Sequence, residues 1–267
     1  MPVRDAPFDA AAADYDQHFT ERRLARWLRQ MVWAQLEALI APGQRILELN
    51  GGTGEDATWL AQRGCRVLLT DGAAEMQRLA AQKIAARDLV DRVEVAPLDL
   101  NDLNAATAAP FGGPFDGVLS NFGGVNCVAD RPALAQWLAE RTGRGAWLAL
   151  VPMGPYCPWE IGWHLLHGQP RQAFRRRRKG ALAHAGAGQY LPIWYPSPRQ
   201  LRRDFAPYFA HRRTMGIGTL LPPSYLDHWV ERWPSFFERM RRIDAHGGGR
   251  WPFRSLNDHY LMILERR

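Results

Sequence analysis

Long apolar runs are missing from this chain. No stretch of its 267 residues approaches the length that crosses a bilayer, and the opening MPVRDAPFDA lacks the apolar core of a secretion signal. Cysteine is scarce: Cys65, Cys127 and Cys157 are scattered, without the paired spacing of disulfides or a zinc site. These absences predict a cytoplasmic protein in a reducing setting, with no membrane partner and no metal. Lysine is nearly absent as well. Of 34 basic residues only Lys83 and Lys179 are lysines, a bias that codon composition alone can produce.

What is present is an ordinary packed interior, since hydrophobic residues make up 46% of the chain. Its length suits one large α/β domain, or one domain with an appendage. A net charge of +7 brings nucleic acid into consideration as a partner. The basic residues are nonetheless dispersed, and the one dense run is Arg175–Lys179. It reads first as a solvated surface loop and second as a phosphate-binding patch.

Leu24, Trp27, Leu28, Met31, Val32, Leu36 and Leu39 lie at helical spacing within residues 20–40. Short apolar runs then alternate with helix-length segments. Strands are expected at 45–49, 66–70, 92–96, 115–121 and 146–152, and helices at 55–63, 73–86, 101–108 (short) and 131–141. Such alternation predicts βαβ units and a parallel sheet, because parallel neighbours need crossover connections. After Pro152 the rhythm breaks. Residues 155–189 show an aromatic helical stretch and then the arginine run, with no strand pattern. A strand at 189–195, a helix at 198–209, a strand at 210–219, an aromatic helical stripe at 225–240 and a last strand at 259–265 follow. One domain with an insertion fits: a helical cap at 1–40, a core at 41–152, substrate-side insertions at 153–250 and a final strand at 251–267.

The most informative stretch is Ile46–Asp56, ILELNGGTGED, where a strand ends, the backbone turns through glycines and a helix begins. Glycines let a ligand lie against the backbone near a helix N-terminus. Nicotinamide and flavin proteins use a related turn, so context has to discriminate. Asp71 closes the second strand, where a carboxylate can accept both hydroxyls of a ribose, and Asp99 follows the third, within reach of an adenine amino group. Ser120-Asn121-Phe122-Gly123-Gly124 ends the fourth with small and amide residues suited to a pocket floor. Acidic residues at successive strand ends point to a nucleoside site.

ILELNGGTG, VLLTD, APLDL and FDGVLSNFGG resemble the successive motifs of class I S-adenosylmethionine-dependent methyltransferases, over roughly residues 10–152, and DHYLMILE resembles that fold's last strand. The resemblance implies a Rossmann-like, mostly parallel seven-stranded sheet. Its last strand would be antiparallel and inserted between two others, with helices on both faces and a helical, aromatic insertion after strand five. It implies S-adenosylmethionine as cofactor and S-adenosylhomocysteine as product. Glu48 and the turn Asn50, Gly51, Gly52 and Gly54 would hold the methionine part, and Asp71 the ribose. Gly72 and Met76 would flank the adenosine, Asp99 and Leu100 would contact adenine, and Ser120 and Asn121 would line the methyl-transfer end. Tyr15 resembles a tyrosine that closes over the cofactor. The family usually has glycine where Asn50 stands; asparagine tolerates positive φ better than most residues, so the turn can still form.

Methyl transfer from a sulfonium is an in-line displacement in which the protein holds the acceptor and excludes water. A base is needed only if the acceptor loses a proton. Glu160 and His164 share a helical face beside Trp159 and Trp163, where a carboxylate would orient an imidazole; the competing reading is a surface pair above buried tryptophans. His259 is the second candidate base. Asn121, Phe122, Asn126, Trp159 and Trp163 are the candidate acceptor contacts. The leading expectation is a methyltransferase acting on an O, N or C nucleophile of a small molecule. An RNA methyltransferase using Arg175–Lys179 is the alternative, although Ser120–Gly123 is not the Asn/Asp-Pro-Pro-aromatic tetrad of amino-directed nucleic-acid enzymes. A nicotinamide oxidoreductase lacks the last glycine of its GxGxxG pattern here. A non-catalytic protein retaining the fold is the remaining alternative. Oligomeric state is open.

Overall fold

The computed structural model describes residues 9, 12, 15–103, 113–178, 180–184 and 190–267. Helix α1 (Arg23–Leu36) leads into strand β1 (Arg45–Leu49), helix α2 (Glu55–Gln62), β2 (Arg66–Asp71), α3 (Ala74–Ala85) and β3 (Val93–Pro97). After it come β4 (Phe115–Ser120), α4 (Arg131–Ala139) and β5 (Thr142–Leu150). The second half contains α5 (Pro158–Leu166), β6 (Ala181–His184), β7 (Tyr190–Ile193), α6 (Pro198–Phe205), β8 (Phe209–Ile217), α7 (His228–Arg232), α8 (Pro234–Gly247) and β9 (His259–Arg266).

The main sheet runs β3-β2-β1-β4-β5-β9-β8. Its first five strands are parallel, and β9 lies antiparallel between β5 and β8. This is the Rossmann-like order expected from the sequence. Residues from α1, α2, α3, α7 and α8 pack on one face with Ile46, Leu69 and Leu119, whereas α4 and α6 cover the other with Leu47, Val118 and Leu148. The inner parallel strands β1, β2, β4 and β5, covered on both faces, are accordingly rich in consecutive buried residues, whereas the edge strand β3 mixes buried and exposed positions.

Two sequence expectations change. Residues 155–189 do contain a strand, because β6 pairs antiparallel with β7 as a separate hairpin. Its Ala-Leu-Ala-His sequence is too short and too weakly β-branched to signal itself. Strand β5 also begins four residues earlier than its apolar run, at Thr142. Of the short helix expected at 101–108, residues 104–108 lie outside the described residues, and Asn101 and Leu103 are in a turn.

Close packing makes one sheet position exacting. Gly117 in β4 sits opposite Trp147 in β5, and a Cβ on Gly117 would come within 2.2 Å of the indole. Gly117→Ala is therefore expected to cost roughly 1–3 kcal/mol through overpacking, read as a lower midpoint in thermal unfolding; an unchanged midpoint would mean that the indole swings aside freely.

Asp244 on α8 is fully buried, and its Oδ2 accepts the backbone N–H of Leu220 at 3.2 Å. Burial pushes its carboxyl up to about 6, against backbone N–H donors that act in the opposite direction. The folded protein thus holds this proton more tightly than the unfolded chain between about pH 4 and 6, so this residue's contribution to stability falls as pH rises through that window, by at most about 3 kcal/mol. Asp244→Asn is expected to remove that part of the pH slope in urea titrations at pH 4.5, 6 and 7.5, and an unaltered slope would refute the assignment.

Candidate functional site

The strand-to-turn segment after β1 is built as its glycines require. Asn50, Gly52 and Gly54 have φ of 52°, 55° and 81°, so asparagine does take the left-handed conformation expected of it. A Cβ on Gly51 would come within 2.6 Å of Leu69, which presses this turn against β2. At Gly52 a Cβ would meet nothing within 4 Å, leaving bare backbone facing open space. Asp71 at the end of β2 accepts the N–H groups of Gly52 and Ala73, both at 2.9 Å. Burial nevertheless raises its carboxyl above the ordinary value.

A cleft of about 300 Å³ opens here at the carboxyl edge of the sheet. Tyr15, Asn50, Gly51, Gly52, Asp71, Met76, Asn121 and Phe122 of the expected residues line it. The segment before α1 closes one side. Asp16 accepts the Thr53 hydroxyl at 2.6 Å and pairs with Lys83 at 2.8 Å, while Asp9 accepts the Glu75 N–H at 2.8 Å. Burial, its largest influence, pushes the Tyr15 phenol up to about 12, so it stays protonated at neutral pH. Cys127, another lining residue, is pushed up to about 11 by burial.

Sequence reasoning missed the polar hub of this cleft. Asp56 in the first turn of α2 accepts Trp33 Nε1 at 2.6 Å and Asn121 Nδ2 at 3.1 Å, and pairs with the guanidinium of Arg29, a buried lining residue whose carbon lies 5.3 Å from the Phe122 ring centre. A signal existed: Arg29 interrupts the buried stripe Leu28, Val32, Leu36 of α1. A charge on an apolar face needs a buried partner.

Other expected residues stand outside the lining. Glu48 lies beneath the turn, fully buried, and desolvation holds its carboxyl well above the ordinary value. Gly54 starts α2. A Cβ on Gly72 would touch Leu98 O at 3.6 Å and Asp99 Cα at 4.0 Å, which places the ends of β2 and β3 side by side. Asp99 is exposed and accepts the Asn101 N–H at 2.8 Å, whereas Leu100 spends its side chain in the core. Ser120 is buried behind Gly124.

The expected catalytic pair does not form. Glu160 is buried and accepts hydrogen bonds from Arg175 and Arg176, which hold its carboxyl below the ordinary value against burial. His164 Nδ1 faces Gln169 Oε1 at 2.8 Å instead. The helical spacing was right, but two arginines from the following turn outcompeted one imidazole for the carboxylate. Trp159 and Trp163 pack against Trp229 at 6.4 and 5.9 Å between ring centres, and so join α5 to α7 rather than lining the cleft. Asn126 is wholly buried and fully engaged: Nδ2 donates to Met153 O and Trp194 O, and Oδ1 accepts the Met153 N–H. His259 packs edge-on against Phe122 at 5.4 Å, with Nδ1 3.1 Å from Asp258 Oδ2; it backs the cleft wall without lining it.

A nucleoside-bearing cofactor fits these residues. Glu48 Oε2, Asn50 Oδ1 and Ser120 Oγ are buried around the turn and have no hydrogen-bond partner among the described residues, and such atoms are costly to leave unpaired. Gly52 offers its bare backbone beside them.

Residues 46–142 match a methyltransferase domain family. The chain is 32% identical over 136 residues to a demethylmenaquinone methyltransferase of Clavibacter sepedonicus, covering 50% of this chain and 51% of that protein. Over 126 residues it is 29% identical to a protein-L-isoaspartate O-methyltransferase of Methylorubrum populi, covering 47% and 52%. It therefore spans about half the length of either relative. A solved structure of a putative S-adenosylmethionine-dependent methyltransferase from Listeria monocytogenes shares the fold at a TM-score of 0.61 and 13% identity, covering 89% of this chain and 97% of that one. With the motif series, sheet order and glycine turn in the same places, this chain has the Rossmann-like fold of class I S-adenosylmethionine-dependent methyltransferases, and its residues 46–142 match a methyltransferase domain.

Proposed function

We propose that this protein transfers a methyl group from S-adenosylmethionine to an O, N or C nucleophile of a small molecule. The observation that carries this reading is the change in character along one cleft. The end beside β1 and β2 is polar, with Gly52, Asp71 and the Asp56–Arg29 pair, and the lining beyond Phe122 turns apolar through Met153, Leu191 and Ile193. A polar end suits the cofactor and an enclosed apolar end suits a compact acceptor.

Asp71 is assigned to the ribose hydroxyls, the Asp99 region to adenine, and the Asn50–Gly52 backbone to the methionyl part. Arg29 is assigned to the cofactor's carboxylate, because it is the cation among the cleft's described lining residues and its planar fork retains donors beyond those given to Asp56. Glu48, whose carboxyl burial holds well above the ordinary value, is assigned to the cofactor's ammonium group. The bound cofactor supplies a methyl group already activated on sulfur. The chain's task is to hold the acceptor in line with it and keep water out. Tyr15 and Phe122 close the cleft, and no histidine is among its described lining residues. Catalysis is assigned to positioning of the acceptor, because the cofactor's sulfonium already carries the activation. The RNA alternative loses support because Arg175 and Arg176 are turned inward onto Glu160.

The experiment is a calorimetric comparison of S-adenosylhomocysteine with 5′-methylthioadenosine, which lacks the amino-acid end. Asp71→Asn is expected to weaken both by about tenfold to a hundredfold, since a charged acceptor is lost from the ribose. Arg29→Lys, which keeps a cation beside Asp56 but loses the planar fork, is expected to weaken S-adenosylhomocysteine by about tenfold and leave methylthioadenosine within about twofold. Absence of binding to either nucleoside in the unmutated protein would remove the reading altogether.

A further inference from the structure

The arginine run does something other than decorate a loop. A second cavity, also of about 300 Å³, lies along the same two segments that border the cleft, a step further on in each. Met153 and Ile193 face the cleft, whereas Pro155, Tyr156 and Trp194 face the second cavity. Asn126 fastens the partition between them through its bonds to Met153 and Trp194.

Among the described residues lining this cavity are four arginines and no acidic residue. Two of them are already neutralised. Arg131 pairs with Asp204 at 2.9 Å, and Arg176 pairs with Glu160 and Asp258 at 2.8 and 2.6 Å. Arg177 and Arg178, both exposed at the rim, have no carboxylate partner among the described residues. Exposed arginines are ordinarily just solvated. These two differ because they converge on a concavity that holds further anion-binding elements. Helix α6 begins there, with the Ser197 hydroxyl capping the Gln200 N–H at 3.2 Å, and both residues line the cavity. The N-terminus of that helix adds partial positive charge. Tyr156 lies under the Arg177 guanidinium at 6.0 Å, and Trp194 adds a second aromatic wall.

Two unneutralised guanidiniums match the roughly two negative charges of a phosphate monoester at neutral pH, and their planar forks match its oxygens. A nucleic-acid strand fits less well. The cavity takes one compact group, and the other two arginines of the run are engaged in pairs with Glu160. We propose that this cavity binds the phosphate group of a small phosphorylated ligand distinct from the cofactor, held by Arg177 and Arg178 at the start of α6, with its body against Tyr156 and Trp194. Binding there does not depend on the methyl-transfer reading.

The test is calorimetric titration of the full chain with inorganic pyrophosphate at fixed chloride near physiological ionic strength, comparing the unmutated protein, R177Q/R178Q and R177K/R178K. Saturable one-site binding is expected, weakened at least about tenfold in R177Q/R178Q and partly restored in R177K/R178K. S-adenosylhomocysteine affinity and the thermal midpoint should stay unchanged in both variants, which separates loss of the site from loss of the fold. The proposal is overturned if no saturable binding occurs up to about 10 mM pyrophosphate, a range that still detects millimolar affinity, or if R177Q/R178Q binds as tightly as the unmutated chain. It is also overturned if a single-stranded RNA oligonucleotide binds more tightly than pyrophosphate and depends on the same pair, because the arginines would then serve a nucleic-acid backbone.

Discussion

Asp56 receives three donors from two separate parts of the fold: Arg29 and Trp33 from α1, and Asn121 from the end of β4. A buried ionised carboxylate is costly unless its oxygens are paired, and here the pairing ties α1 and the end of β4 to the start of α2. Because Asp56 stands in the first turn of α2, its charge also complements that helix's positive end. Without the N-terminal helix, Asp56 would keep only Asn121 among these three donors. The cap at residues 23–36 is thus part of the site, since it supplies the cation that neutralises the floor of the cleft.

The same logic of buried charge organises the second half of the chain. Glu160, Arg175, Arg176 and Asp258 form a network joining α5, the arginine run and the start of β9. Arg176 and His259 hold the Asp258 carboxyl well below the ordinary range despite its complete burial. The network therefore stays ionised at neutral pH, and it anchors the insertion beside His259, whose ring supports Phe122 at the cleft wall. Through that contact the insertion, which contributes Leu191 and Ile193 to the apolar part of the cleft lining, is tied to Phe122 in the cleft wall.

How much of this was legible beforehand depended on whether the information was local. The strand–turn–helix of Arg45–Gln62 carries its own signals, glycines and a period change, and it was read correctly to within a residue. Asp71 was placed by being the last residue of an apolar strand, and the placement of β9 followed from its resemblance to a known last strand. Pairings between distant residues were not legible. Glu160 and His164 share a helical face as expected, yet Arg176 lies sixteen residues on in a turn whose path no periodicity reveals. Asn126 looked available as an acceptor contact for the same reason. Its partners Met153 and Trp194 are backbone carbonyls brought to it by the fold.

The arginine run shows why composition alone misleads about function. Four successive arginines suggest one uniform basic surface, but the short helical turn at Arg175–Arg177 distributes them in different directions. Arg176 is buried, with its charge cancelled by two carboxylates, and Arg175 is half-buried against Glu160. Only Arg177 and Arg178 of the four remain to act on solvent or ligand. The structural pair holds the run in place, and that anchoring aims the remaining two at one cavity. A run that was solvated throughout would spread the same charge over many conformations and would lose more side-chain entropy on gripping any one anion. The pairing of Arg175 and Arg176 is what anchors the backbone that carries the other two beside the cavity.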